Sequence, residues 1–159
     1  MQDPLSELMD RQQIADLVTG YCLALDAMDL ETLTALFTQD CLVDYGPGPG
    51  MRSVGASRLQ QDLARMWRWS RTSHHSSNVH IVFTSEDFAD VTSSVYAWHE
   101  RPDGSTATMM GQYRDQMRRT VDGWRIASRT QVLTGNDAGF DVAINPFDRR
   151  PDPQGKGLA

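Results

Sequence analysis

The chain has 159 residues, 40% of them apolar and 23% charged, which suffices for one domain with an ordinary core and leaves no room for a second. Its formal charge of -6 and isoelectric point near 5.0 oppose the attraction that supplies most non-specific nucleic-acid affinity, so no nucleic-acid partner is expected. Asp10, Arg11 and Asp16 interrupt the apolar residues of the first thirty positions; no signal peptide or membrane span is expected, and a cytoplasmic location is.

Asp3 followed by Pro4 has the form of an N-cap and first helical position, and Ile14, Leu17, Val18, Tyr21, Cys22 and Leu25 repeat at helical spacing. A first helix is predicted over 4–28. Asp29 reads as the cap of a short second helix that carries Leu30, Leu33, Leu36 and Phe37, ends at Asp40 and leads into a strand over 41–45. Gly46-Pro47-Gly48-Pro49-Gly50 can hold neither helix nor ladder and predicts a turn-rich loop of the kind that borders pockets. Leu59, Leu63, Met66 and Trp67 predict a third helix over 56–69.

From Ser73 onward β-branched and aromatic residues alternate with turn signals, and Asp103-Gly104 and Asp122-Gly123 mark hairpins. Strands are predicted near 74–84, 88–101, 106–119 and 123–133. Three helices followed by a consecutive antiparallel meander imply an α+β domain over 1–135, its helices covering one face of a curved sheet with a pocket at the wide end. The tail, 136–159, is rich in Gly, Asp and Pro, and its last dozen residues are expected to be mobile. Phe140, Val142, Ile144 and Phe147 need a surface, either the mouth of the pocket or a neighbouring subunit.

No P-loop, dinucleotide-binding glycine motif or GxSxG elbow is present, and no cofactor is expected. Cys22 and Cys41 lack metal-binding spacing and read as buried thiols. The adjacent His74 and His75 point to opposite faces of a strand, so no metal site is expected either. Asp26 falls at the edge of the apolar face of the first helix: it is either a solvated carboxylate at a helix end or a half-buried one that needs a partner.

In a regular strand His74, Ser76, Asn78 and His80 share one face, an unusually polar row that is either left in water or lines a wet cavity. Imidazole, with an unperturbed pKa of about 6.5, can accept a proton near neutrality, and a carboxylate on its other nitrogen would fix the tautomer. Asp26 and His74 are the candidate pair. His75 faces away, His80 lies further along, and His99 adjoins the Glu100-Arg101 turn, so none of them competes. Tyr21, Tyr45, Trp67, Trp69, Met110 and Tyr113 are candidates to line the pocket. Arg129 reaches either Asp115 across a hairpin or a substrate oxygen.

Tyr21-Cys-Leu-Ala-Leu-Asp26-Ala-Met-Asp29 before Leu33 and Leu36-Phe37, then Asp44-Tyr45, Arg71-Thr72-Ser73-His74, Gly111-Gln112-Tyr113-Arg114-Asp115 and Gly123-Trp124-Arg125-Ile126 through Arg129, are similar in order and spacing to one known group. They resemble the SnoaL-like family of the nuclear transport factor 2-like superfamily over roughly residues 5–135. That group includes scytalone dehydratase, hexachlorocyclohexane dehydrochlorinase and bile acid 7α-dehydratase.

The resemblance implies a cone-shaped α+β barrel without cofactor, in which an aspartate on the first helix pairs with a histidine on the strand after the third. Asp26 and His74 fall on those positions. It further implies proton abstraction by His74 beside a leaving group, a dehydratase-type β-elimination from a small cyclic hydroxylated or steroid-like metabolite. Tyr45 matches a strand tyrosine that helps hold a water on the substrate oxygen. A second histidine of scytalone dehydratase is expected on the strand that here reads Gly111 to Arg114, so Gln112 or Arg114 would supply that contact. The same fold also serves isomerases and the non-catalytic small subunit of ring-hydroxylating dioxygenases, which are the alternative functions. A homo-oligomer is expected, a trimer before a dimer.

Overall fold

The computed structural model describes residues 3–147; the tail segment expected to be mobile, 148–159, lies outside the described residues. Helix α1 (Pro4–Asp26) starts where the Asp3 carboxylate accepts a hydrogen bond from the Ser6 amide at 3.3 Å, with proline at its first position. Its inner stripe, including Ile14, Val18, Tyr21 and Leu25, is buried against strands β3 (Arg71–Phe83) and β6 (Gly123–Asn136).

Helix α2 (Leu30–Ala35), capped by Asp29 on the Thr32 amide at 3.0 Å, ends five residues before the expected Asp40. Phe37 already opens strand β1 (Phe37–Asp44), which pairs parallel with β6, and the Ile126 amide donates to the Leu36 carbonyl at 2.9 Å. Phe37 and Cys41 point into the core, so burial and ladder pairing override the helical spacing of Leu33, Leu36 and Phe37. A short strand β2 (Arg52–Val54), not foreseen from the sequence, pairs antiparallel with β1.

Helix α3 (Ala56–Leu63) gives way to a 3₁₀ segment at Ala64–Arg68 instead of continuing to Trp69. Strands β3, β4 (Phe88–Glu100), β5 (Thr106–Thr120) and β6 form the expected meander, and β7 (Asn145–Pro146) adds parallel to β6. The sheet order is β2-β1-β6-β5-β4-β3, mostly antiparallel, with helices closing its concave face. This is the α+β cone.

Irregularities bend the sheet around its contents. At Gly111, beside a register shift between β5 and β6, an added Cβ would lie 2.2 Å from the Val132 carbonyl oxygen, an approach only glycine permits. On β3 the register shifts between Ser77 and His80, and Asn78 adopts φ of 51°. That bulge overturns the regular alternation expected here. Past it Ile81 and Phe83 pack against the core, while Asn78 and His80 are exposed.

Candidate active site

The last turn of α1 carries Asp26 to the start of β3, where three donors converge on its carboxylate. Thr72 Oγ1 and His74 Nδ1 meet Oδ1 at 2.7 and 2.6 Å, and the His74 backbone amide meets Oδ2 at 2.8 Å. Asp26 is thus the half-buried carboxylate with partners, not the solvated one. Burial acts to raise this carboxyl; hydrogen bonds from the His74 ring, the His74 amide and Thr72 outweigh it, leaving the group below the ordinary carboxylate value. An ionised Asp26 takes the proton-bearing Nδ1 of His74 and leaves Nε2 as the free nitrogen of a ring that lines the central cavity.

The space bordered by the side chains of that cavity, open solvent included, amounts to about 480 Å³. Its polar floor holds Tyr21 and Tyr45, whose hydroxyls share a hydrogen bond at 2.7 Å, and Tyr113, edge-on to Tyr21. Burial pushes all three phenols above their ordinary value, so they are neutral donors. The apolar wall comes from Met66, Trp69 and Met109, and from Phe140, Val142 and Ile144 of the segment after β6. Of the two roles foreseen for those tail residues, these three take the first and close the cavity. Phe147 lies outside it, against the Arg114 guanidinium.

His99 is the residue that sequence reasoning set aside wrongly. It is 3% exposed, lines the cavity, and stands edge-on to His74 with ring centroids 5.3 Å apart. Its parity with Val91, Val95 and Ala97 on β4 was the available signal, masked by its neighbours in the exposed turn. Burial, the adjacent His74 and Arg68 lower it to about 4, against a pull upward from its hydrogen bond with the Ala107 carbonyl and from Asp26. Gln131 is a second unforeseen member, buried and in the lining.

Four expected pocket residues lie elsewhere. Trp67 is 67% exposed: with three residues per 3₁₀ turn, Leu63, Met66 and Trp69 share the inner face and Trp67 rotates outward. Met110 and Gln112 fall on the outer face of β5, because Met109, Gly111 and Tyr113 take the inner one. Asn78 sits on the bulge and turns its amide to Ser94 Oγ at 3.3 Å. The polar group beside His74 is therefore His99, not Gln112 or Arg114.

Arg129 is also outside the lining. Fully buried, it donates from Nε and Nη2 to the two Asp115 oxygens at 2.8 and 2.7 Å, and its guanidinium stacks 4.1 Å from the ring centroids of both Tyr21 and Tyr113. The salt bridge is the alternative realised, and Arg129 supports the cavity floor from behind. Cys22 and Cys41 are buried free thiols. Among the described residues no three His, Cys, Asp or Glu side chains gather in a way that could hold a metal ion, and no helix is long and apolar enough to cross a membrane.

The comparisons agree with this architecture. No curated protein matches the sequence. Among solved structures, a candidate scytalone dehydratase from Novosphingobium aromaticivorans is 30% identical with a TM-score of 0.84, over 91% of this chain and 97% of that one. A candidate aromatic ring hydroxylase from the same organism is 26% identical with a TM-score of 0.76, over 86% and 95%. A hexachlorocyclohexane dehydrochlorinase, at 16% identity and a TM-score of 0.77 over 91% and 98%, shares the fold. The sequence profile of the SnoaL-like domain matches residues 6–130, spanning both Asp26 and His74, and the chain belongs to that family.

Proposed function

We propose that this chain is a cofactor-independent lyase of the dehydratase type, acting on a small cyclic hydroxylated metabolite, with His74 as base and Asp26 orienting it. One observation carries the reading: the 2.6 Å hydrogen bond from His74 Nδ1 to a carboxylate held by two further donors, at the wall of a cavity whose floor is neutral. The fixed tautomer presents Nε2 as a proton acceptor, and Asp26 offsets the charge that the ring gains. Such a positioned base contributes ~10²–10⁴-fold.

In the reaction, Nε2 takes a proton from the carbon next to the one bearing the hydroxyl. The C–H electron pair becomes the new double bond. The C–O bond breaks, and the departing oxygen recovers the proton from the imidazolium and leaves as water. Of the paired Tyr21 and Tyr45 hydroxyls, the one whose proton is not given to the other donates to a substrate carbonyl oxygen as it gains negative charge. The name of the 30% identical relative supports this class.

The test is exchange and mass together. Cyclic β-hydroxy ketones are incubated with the protein in deuterium oxide and followed by NMR and mass spectrometry. Loss of water dependent on His74 is the expected result. Exchange with the mass otherwise unchanged assigns an isomerase using the same base, and undiminished turnover by His74→Ala removes His74 from the chemistry.

A further inference from the structure

Arg65 and Arg68 in the cavity lining and Arg101 beside Trp69 put three guanidinium groups near the mouth of the cavity, and the proton chemistry proposed above uses none of them. Arg65 and Arg68 both line the cavity; three residues apart in a 3₁₀ segment, they share one face of it. Arg68 and Arg101 flank the same indole, their guanidinium carbons 5.0 and 4.8 Å from the Trp69 ring centroid.

The three charges are only partly compensated. Arg65 donates to the backbone carbonyls of Gly50 and Asp62 at 3.0 and 2.7 Å, and Arg101 donates to the Gly139 carbonyl at 2.6 Å. Carbonyls satisfy donors without cancelling charge. The Asp62 carboxylate acts electrostatically on Arg65, and Asp141, 79% exposed, lies 3.7 Å from Arg101; among the described residues the exposed Arg68 makes no hydrogen bond or ion pair. Burial and the neighbouring Arg65 and Arg101 push Arg68 below the ordinary guanidinium value, and Asp141 offsets this only in part.

A second observation points to a ligand. The indole Nε1–H of Trp69, in the cavity wall and 6% exposed, finds no acceptor among the described residues. A buried donor left unpaired is costly, and so is crowding like charges in a protein whose net charge is -6. One partner relieves both costs: an oxyanion carried by the molecule that fills the cavity.

We infer that the rim of the cavity, built from Arg65, Arg68, Arg101 and the indole N–H of Trp69, is a subsite for an anionic oxygen group on the substrate, a carboxylate or a phosphate ester. This rests on the lyase reading above and narrows its substrate to cyclic hydroxy acids or their phosphate counterparts. The acid end sits at the mouth and the reacting carbon at His74. A neutral molecule of the same shape lacks the partner that the rim offers.

The experiment reads binding and so does not depend on turnover. Affinities of 2-naphthoate, 2-naphthyl phosphate and the neutral 2-naphthalenemethanol are measured by calorimetry at low and high salt. At least one anion is expected to bind about tenfold or more tightly than the alcohol, the worth of a charge-assisted hydrogen bond, and the gap should narrow with salt. Which anion leads assigns carboxylate or phosphate.

Arg68→Gln should erase most of that preference, whereas Arg68→Lys should keep much of it. Equal affinity of acid and alcohol, no binding of either anion at millimolar concentration, or a preference unchanged in Arg68→Gln overturns the subsite. Wild-type turnover separates the two readings: anion preference without turnover refutes the lyase alone, and turnover without anion preference refutes the subsite alone.

Discussion

Replacing Asp26 by Asn alters one atom and tests the arrangement at its centre. The carboxylate now accepts from Thr72 Oγ1, His74 Nδ1 and the His74 amide. An Asn side chain brings one oxygen and an NH₂ group that can only donate. With the nitrogen at the Oδ2 position it would face the His74 amide, leaving two donors opposed. With the nitrogen at the Oδ1 position the amide is satisfied by the oxygen, Thr72 accepts, and His74 Nδ1 must accept as well. The second orientation costs less, and it moves the ring proton to Nε2, the atom proposed to act as base. The fold survives; the base does not.

The expected loss in kcat/KM is ~10²–10⁴-fold, the contribution of a positioned general base. Three contacts to an ionised group become contacts to a neutral one, and for a carboxylate 25% exposed the net destabilisation should be about 1–3 kcal/mol. Because the native Asp26 lies below its unfolded value, its stabilisation is present above about pH 4 and lost as the pH falls through the lower native value. Asp26→Asn should therefore show a weaker acid loss than the wild type. Nitrogen-15 NMR of the imidazole reads the tautomer without any substrate: Nδ1 protonated in the wild type, Nε2 in the variant. A variant that keeps its proton on Nδ1, or turns substrate over at the wild-type rate, refutes the reasoning.

The lowering of His99 to about 4 means that the unfolded chain binds its proton more readily than the native one. Stability should fall by up to about 3 kcal/mol as pH drops from about 6.5 to 4, and urea midpoints of His99→Phe should flatten across that window. Asp115→Asn strands a fully buried guanidinium and should cost about 3–5 kcal/mol in urea unfolding, most of it recovered when Arg129→Met is added. At Gly46, with φ of 149°, an added Cβ would sit 2.4 Å from the Ala143 carbonyl oxygen. Gly46→Ala should thus displace the segment that brings Val142 and Ile144 to the cavity, weakening ligand binding by calorimetry while the far-ultraviolet circular dichroism stays native.

The reading of helices and meander from sequence rested on long periodic stretches and capping residues, and at Asp3, Asp29 and the two Asp-Gly turns local chemistry decided the outcome. Where it failed, a change of period was the cause. The passage from α-helix to 3₁₀ after Leu63 exchanges Trp67 for Trp69 on the inner face, and neither segment carries a residue that announces it. The bulge at Asn78 reverses the faces of β3 halfway along, so a polar row legible at His74 and Ser76 ends where Ile81 turns inward. On β5 the parity of Tyr113 and Asp115 already excluded Met110 and Gln112. His99 shared its parity with three apolar neighbours, yet the turn beyond it outweighed that signal.

The electrostatics of the floor suit the role of base proposed for His74. Burial makes Tyr21, Tyr45 and Tyr113 poor acids and holds His99 neutral, so at neutral pH none of these groups brings a charge to His74. Arg129 is the exception, a full charge 4.1 Å from two of the tyrosine rings. Unpaired, it would act at that distance with about 4 kcal/mol per unit charge at an effective dielectric near 20, favouring tyrosinate and opposing an imidazolium nearby. Asp115, with both oxygens on the guanidinium, reduces that field to that of a tight ion pair. In the proposed reaction Asp26 is the carboxylate left to answer the charge developing on His74, and the positive charge of the arginines is kept at the rim, where the proposed acidic substituent would meet it.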